Sequence, residues 1–174
     1  MANSKTVIYN ANLITMDDEY KVFDNGYLVL VDGLIHALGT GVPEMDEFTD
    51  SLDANGGLVT PGLINCHTHA PMSLFRGLGD DEPDRLQRYI FPLEAKHVSP
   101  EFVRTGTALS CVEMLLGGTT CFADMYFFEE EVAATASELG IRVLAGQTLM
   151  NRTAPDVATI DDAFTRAIHF CEEW

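Results

Sequence analysis

Basic side chains are scarce in this sequence. Lysine occurs three times, at Lys5, Lys21 and Lys96, and Lys plus Arg total 10 against 27 Asp plus Glu. The resulting formal charge of −17 argues against a protein that grips a phosphate backbone in a basic groove, and equally against docking on anionic lipid. Long hydrophobic runs are missing as well. No stretch reaches the ~18 unbroken apolar residues of a membrane span, and the opening MANSKTVIYN has no apolar signal-peptide core. Cysteine is sparse and badly spaced for scaffolding: Cys66, Cys111, Cys121 and Cys171 make no C-x-x-C pair. Neither a disulfide framework nor a zinc ribbon is suggested, and a reducing cytoplasm is the expected location. There is no G-x-G-x-x-G and no G-x-x-x-x-G-K-[ST], so Gly117-Gly118 reads as a helix stop and not as a phosphate loop.

What is present is a chain of 174 residues that is 47% apolar, enough for a sizeable core in one domain or in one domain and part of another. The excess acid, including fourteen Asp, reads as an ordinary solvated surface. The competing reading is a high-salt cytoplasm, where the Debye length shrinks to about 3 Å at 1 M and like charges stop repelling.

The residue pattern changes near position 60. Before it, short β-rich runs alternate with turn signals. Thr6–Tyr9 and Ala11–Met16 are two such runs, and Gly26–Val31 and Leu34–Leu38 flank Asp32-Gly33, a strong two-residue hairpin signal. A small antiparallel β unit is expected. After it, Gly57–His69 should hold a strand starting at about Leu63, because Pro61 cannot sit inside one. A helix is expected over Ser99–Leu116, capped by Ser99 with Pro100 at its first position and with Phe102, Ala108, Val112, Leu115 and Leu116 on one face. Thr119–Met125 and Ile141–Met150 read as strands, and Phe128–Leu139 and Thr159–Trp174 as helices. Alternating strands and helices imply an α/β unit with a parallel sheet.

The residues richest in chemistry are His67 and His69, in Asn65-Cys66-His67-Thr68-His69-Ala70. Side chains at i and i+2 of a strand point to the same face. Two imidazoles at the carboxyl end of a strand can therefore share one metal, and that end is where α/β folds build active sites. An isolated H-x-H is as much at home in a loop. The apolar strand before it, with Pro61-Gly62, and the β/α order after it favour the metal. Cys66 falls between them on the opposite face, as a core residue. His36, His97 and His169 have no visible partners and read as surface or packing residues.

The segment VTPGLINCHTHAPMSLFRGLGDD, followed by IFPLEAKHVSPEFVRTGTALSCVEMLLGGTTCFADMYFF, resembles the amidohydrolase superfamily. Within it, the similarity is to the branch of methylthioadenosine/S-adenosylhomocysteine deaminases, with triazine chlorohydrolases and guanine deaminase as relatives. The resemblance implies the start of a metal-dependent (β/α)8 barrel, about three β/α units over 60–174, preceded by the N-terminal part of a composite β-sandwich over 1–59. It implies one divalent metal, zinc with iron as the alternative, held by His67 and His69. It places Glu94, in Phe91-Pro92-Leu93-Glu94, against the sugar hydroxyls of a nucleoside, and a carboxylate can accept two such hydrogen bonds. Asp124 matches a position that supports the ligands without binding the metal, with a simple capping aspartate as the competing reading. Gln147 stands where some relatives have a substrate-binding arginine, and Arg85 where many have a tryptophan, which bears on the exact substrate and not on the metal.

The implied reaction is hydrolytic deamination of an adenosine-type nucleoside such as 5′-methylthioadenosine or S-adenosylhomocysteine, with metal-activated water attacking purine C6 and ammonia leaving. The implied partner is a small purine nucleoside, not nucleic acid or membrane, with self-association into a homo-oligomer also open. Two histidines do not complete a catalytic metal site, which takes about three protein ligands. A whole barrel takes about 250 residues. The sequence is thus expected to be the N-terminal piece of a longer enzyme, with no acid/base residue of its own and little activity alone. The alternatives are another amidohydrolase chemistry, on guanine or a triazine, or a non-catalytic fragment.

Overall fold

The computed structural model describes residues 4–46 and 49–174. The chain divides into two compact units, Met1–Pro61 and Gly62–Trp174.

The first unit is one sheet. Strands β1 (Lys5–Ile14), β2 (Val22–Val31), β3 (Leu34–Thr40) and β4 (Thr49–Asp53) lie in the order β3-β2-β1-β4, and the short β5 (Leu58–Val59) also pairs with β1. The β2–β3 hairpin turns at Asp32-Gly33, both left-handed with φ of 50° and 78°, so the connection twists with its strands. The two β-rich runs expected near the start are a single strand. It is irregular between Ile8 and Ala11, where Asn10 takes a φ of 54°. The sheet is not purely antiparallel as expected: β4 and β5 run parallel to β1. β4 follows a longer connection after β3, which frees the chain to run in either direction, and β5 continues along β1 in the same direction after a short link. Val7 and Val29, paired across β1 and β2, are buried with Ala11 and Leu13.

The second unit is α/β. Three parallel strands, β6 (Leu63–Thr68), β7 (Thr119–Tyr126) and β8 (Arg142–Gln147), lie in the order β6-β7-β8. Helices α1 (Phe91–His97), α2 (Pro100–Leu116), α3 (Glu129–Leu139) and α4 (Ile160–Glu173) follow the chain between and after them. The caps are those the sequence advertises. Ser99 Oγ accepts from the Phe102 amide at 3.2 Å, and Gly140 closes α3 at a φ of 74°. Thr159 and Asp162 add a reciprocal capping box at the start of α4. The core gathers Val103, Cys111, Phe122, Phe127, Val132 and Ile141.

Two expectations are corrected here. The buried face of α2 is Val103, Gly106, Thr107 and Cys111, whereas Val112, Leu115 and Leu116 are exposed and Phe102 and Ala108 half-buried. The small residues face inward because the helix lies close against its neighbour, and a size-weighted reading of the sequence points at the opposite side. Cys66 is exposed, not a core residue, since β6 is an edge strand with Leu63 and Ile64 exposed beside it. The segment from His69 to Ser99 holds a 3-10 turn over Ala70–Phe75, a π-helical turn over Leu86–Ile90, and α1. Arg85 knits it together, donating to the Leu78 carbonyl at 2.8 Å and pairing with Asp80 at 3.1 Å. No helix of the described residues is long and apolar enough to cross a membrane.

Candidate active site

His67 lies in the last turn of extended chain and His69 just past its end, and their rings meet edge to face with centroids 5.2 Å apart. His69 Nδ1 is 2.6 Å from the carbonyl of Met125 on the neighbouring strand. A carbonyl only accepts, so Nδ1 carries the proton and Nε2 is left with a free lone pair. That is the tautomer a metal-binding imidazole needs, fixed by the hydrogen bond its other nitrogen makes. His67 is exposed and His69 half-buried, and both line a cavity of about 140 Å³ together with Asp124 and Met125.

Asp124 holds the strand end from behind. It sits opposite Thr68 in the β6–β7 register, and its Oδ1 accepts from the Thr68 hydroxyl and, at 2.7 Å, from the Ala70 amide. One carboxylate thus grips the residue before His69 and the residue after it. From the other side α2 closes on the same segment. Ser110 Oγ donates to the Ala70 carbonyl at 2.8 Å, and Ser73 Oγ donates to the Gly106 carbonyl at 2.9 Å. Gly106 is the point of closest approach, where a Cβ would lie 2.4 Å from the Pro71 oxygen.

Glu94 projects from α1 and is buried, with 6% of its surface exposed. It lines a second, apolar cavity of about 190 Å³ with His69, Met72, Phe91, Met125 and Tyr126. Burial pushes its carboxyl above the ordinary carboxylate range, and a hydrogen bond from Tyr126 and the charge of Arg152 pull it back. Tyr126 Oη donates to Glu94 Oε1 at 2.9 Å. The Arg152 guanidinium lies over the Phe91 ring at 4.5 Å, at the edge of this cavity.

The structure therefore brings His67, His69, Asp124 and Glu94 to the same strand ends, with His69 lining both cavities. Gln147 ends β8 beside Tyr126 but lines neither cavity. The Gln147 amide donates to Asp156 at 2.7 Å, and that carboxylate also accepts from the Phe128 amide at 3.1 Å and pairs with Arg166. Gln147 is spent on tying β8 to the chain leading into α4. His36 and His97 are exposed, and His169 pairs with Glu173 at 3.5 Å on the surface of α4. Among the described residues no group of three or more His, Cys, Asp or Glu could hold a metal ion.

Sequence reasoning missed two residues of this region. Tyr126 was within reach, because it stands two positions beyond Asp124 and so on the same face of β7. Glu129 carried no signal beyond an acidic helix start. It is fully buried, and burial together with the nearby Asp124 carboxylate pushes it up to about 9. Its oxygens make no conventional hydrogen bond among the described residues. Glu129 is therefore held protonated near neutral pH.

A sequence profile described as "Amidohydrolase family" matches residues 58–173. The chain is 43% identical over 177 residues to a 5-methylthioadenosine/S-adenosylhomocysteine deaminase of Thermodesulfovibrio yellowstonii, covering 98% of this chain and 40% of that protein. It is 38% identical over 172 residues to a 5′-deoxyadenosine deaminase of Methanococcoides burtonii, covering 97% and 38%. Among solved structures, an adenosine deaminase from Xanthomonas campestris with bound zinc superposes with a TM-score of 0.82 at 32% identity, covering 98% of this chain and 40% of that one. A zinc complex of atrazine chlorohydrolase from Arthrobacter aurescens shares the fold, with a TM-score of 0.78 at 22% identity over 97% and 43% of the two chains. The chain thus spans about 40% of the length of the curated relatives it matches.

Proposed function

The chain belongs to the amidohydrolase family, and on that footing we propose that it supplies two metal ligands and the sugar-binding carboxylate of a hydrolytic deaminase acting on adenosine-type nucleosides. The parallel unit, residues 60–174, is then the opening of a (β/α)8 barrel, and residues 1–59 are part of a β-sandwich. The observation that carries the proposal is the pairing of His67 with His69, the latter locked by Met125 into the tautomer that offers Nε2. Imidazole nitrogen suits zinc, which two of the solved relatives contain. Two donors fit one side of a tetrahedral site, and the others come from outside this pair.

When bound, the metal lowers the pKa of water so that hydroxide is available near neutral pH. The residues of this chain do the rest of what they can reach. His67 and His69 present their nitrogens from one strand end. Asp124, Ser110 and Ser73 keep that strand end from shifting, which matters because misplacement by about 1 Å can cost a hundredfold in rate. Glu94 accepts hydrogen bonds from the ribose hydroxyls. The apolar wall of Met72, Phe91 and Met125 excludes water beside the sugar and accommodates a thioether substituent.

The test is a substrate panel on the native protein, with metal content measured in parallel. Turnover of 5′-methylthioadenosine, S-adenosylhomocysteine or 5′-deoxyadenosine with stoichiometric ammonia release is expected, together with loss of metal and activity in His67→Ala/His69→Ala. Turnover confined to guanine or a triazine would move the site to another amidohydrolase chemistry. Unchanged metal content in the double variant would remove the histidines from the site.

A further inference from the structure

Glu94 alone is a poor hydroxyl acceptor. It is buried in an apolar cavity, where a carboxylate is costly and its torsions are free to turn the oxygens away from a ligand. Tyr126 answers both problems. Its phenol donates to Glu94 Oε1 at 2.9 Å, so one oxygen of this cavity-lining carboxylate is fixed and the other is left to a ligand. Tyr126 itself has no freedom to follow. It is 4% exposed, its backbone is paired with Gln147 in β8, and its carbonyl accepts from the Thr148 amide at 3.1 Å. Its ring packs on Phe127 at 5.0 Å and leans toward His69 at 6.4 Å. Burial keeps the phenol protonated, so it is always a donor.

We infer that Tyr126 is a positioning residue for ribose recognition: it anchors Glu94, carried on the short helix α1, to the rigid strand that also holds His69. The inference rests on the proposed role of Glu94. It goes further in assigning the hydroxyl preference of the site to a pair and not to one residue. A carboxylate has about four lone-pair sites, so one bond from Tyr126 leaves room for two ribose hydroxyls.

The test is a binding comparison on the native, metal-loaded protein, using adenosine and 2′,3′-dideoxyadenosine by calorimetry, for wild type, Tyr126→Phe and Glu94→Gln. Wild type should bind adenosine more tightly than the dideoxy analogue. Tyr126→Phe should lose about tenfold in affinity for adenosine and little for the analogue. In steady state the same variant should raise KM for the ribonucleoside far more than it lowers kcat. Glu94→Gln, which can still accept from Tyr126 and so keeps the fold, should lose the preference as well, and the double variant should lose no more than either single one. A purely structural tyrosine would weaken both ligands equally, and that result overturns the inference. If wild type itself shows no preference for the hydroxyls, the role of Glu94 falls and the pair falls with it. If Glu94→Gln abolishes the preference and Tyr126→Phe keeps it, only the Tyr126 assignment fails.

Discussion

Gly106 faces the carbonyl of Pro71 with nothing between them, and a methyl group at that position would sit 2.4 Å from the oxygen. The contact lies in the middle of α2 and immediately after the two histidines, so it sets how closely the helix can press on the strand end that carries them. Gly106→Ala removes a helix-breaking residue and, on propensity alone, would stabilise by about 1 kcal/mol. The clash should win, costing about 1–3 kcal/mol as overpacking. Urea denaturation should show a lower midpoint, and metal affinity should fall with it. A more stable variant would mean that α2 can slide without consequence.

Asp124 grips Thr68 and Ala70 on either side of His69. Asp124→Ala is expected to lower metal affinity about 10–100-fold, the usual cost of removing a group that orients a ligand. Asp124→Asn keeps an acceptor and should fall between the two. Competition with a chromogenic chelator measures this directly. Equal affinity in all three proteins would reduce Asp124 to a cap.

Glu129 makes the protein pH-sensitive in a defined direction. Its carboxyl moves from an ordinary 4.5 to about 9 on folding. The folded state therefore holds a proton that the unfolded chain releases across that window. Stability is fully present below the unfolded value, falls as pH rises between the two, and levels off above the folded one. Glu129→Gln has nothing to titrate. Its melting temperature should gain on that of wild type between about pH 5 and about pH 8. A constant difference across that range would show that Glu129 is ionised in the fold.

The capping box at Thr159 is remote from the site. Thr159→Ala should cost about 1 kcal/mol, seen as faster amide exchange in the first turn of α4, with metal affinity unchanged.

Much of this was legible in the sequence for local reasons. Asp32-Gly33 dictates its own turn, Ser99-Pro100 its own helix start, and Pro61 its own exclusion from β6. His67 and His69 needed only the two-residue period of a strand to be placed together. What the sequence hid depends on partners distant along the chain. The inward face of α2 is set by the approach of Pro71, so Gly106 and Thr107 point in while Val112, Leu115 and Leu116 point out. The parallel course of β4 beside β1 is a matter of which edge was open. Gln147 looked free to meet a ligand until the loop returned Asp156 to its amide. Glu129 was one acid among three at the start of α3, and nothing local marks the one that is buried.

The parallel order of the second sheet also sets a timetable. β7 and β8 meet at Cys121 and Arg142, with only α3 to form between them, whereas β6 meets β7 at Thr68 and Asp124, 56 positions apart. The shorter closure costs less entropy and is expected to come first. Met125, Tyr126 and Asp124 would then stand ready as a template, and the strand bearing His67 and His69 would dock on it last. Substitutions in β7 and β8 should slow refolding, while those in β6 should mainly hasten unfolding.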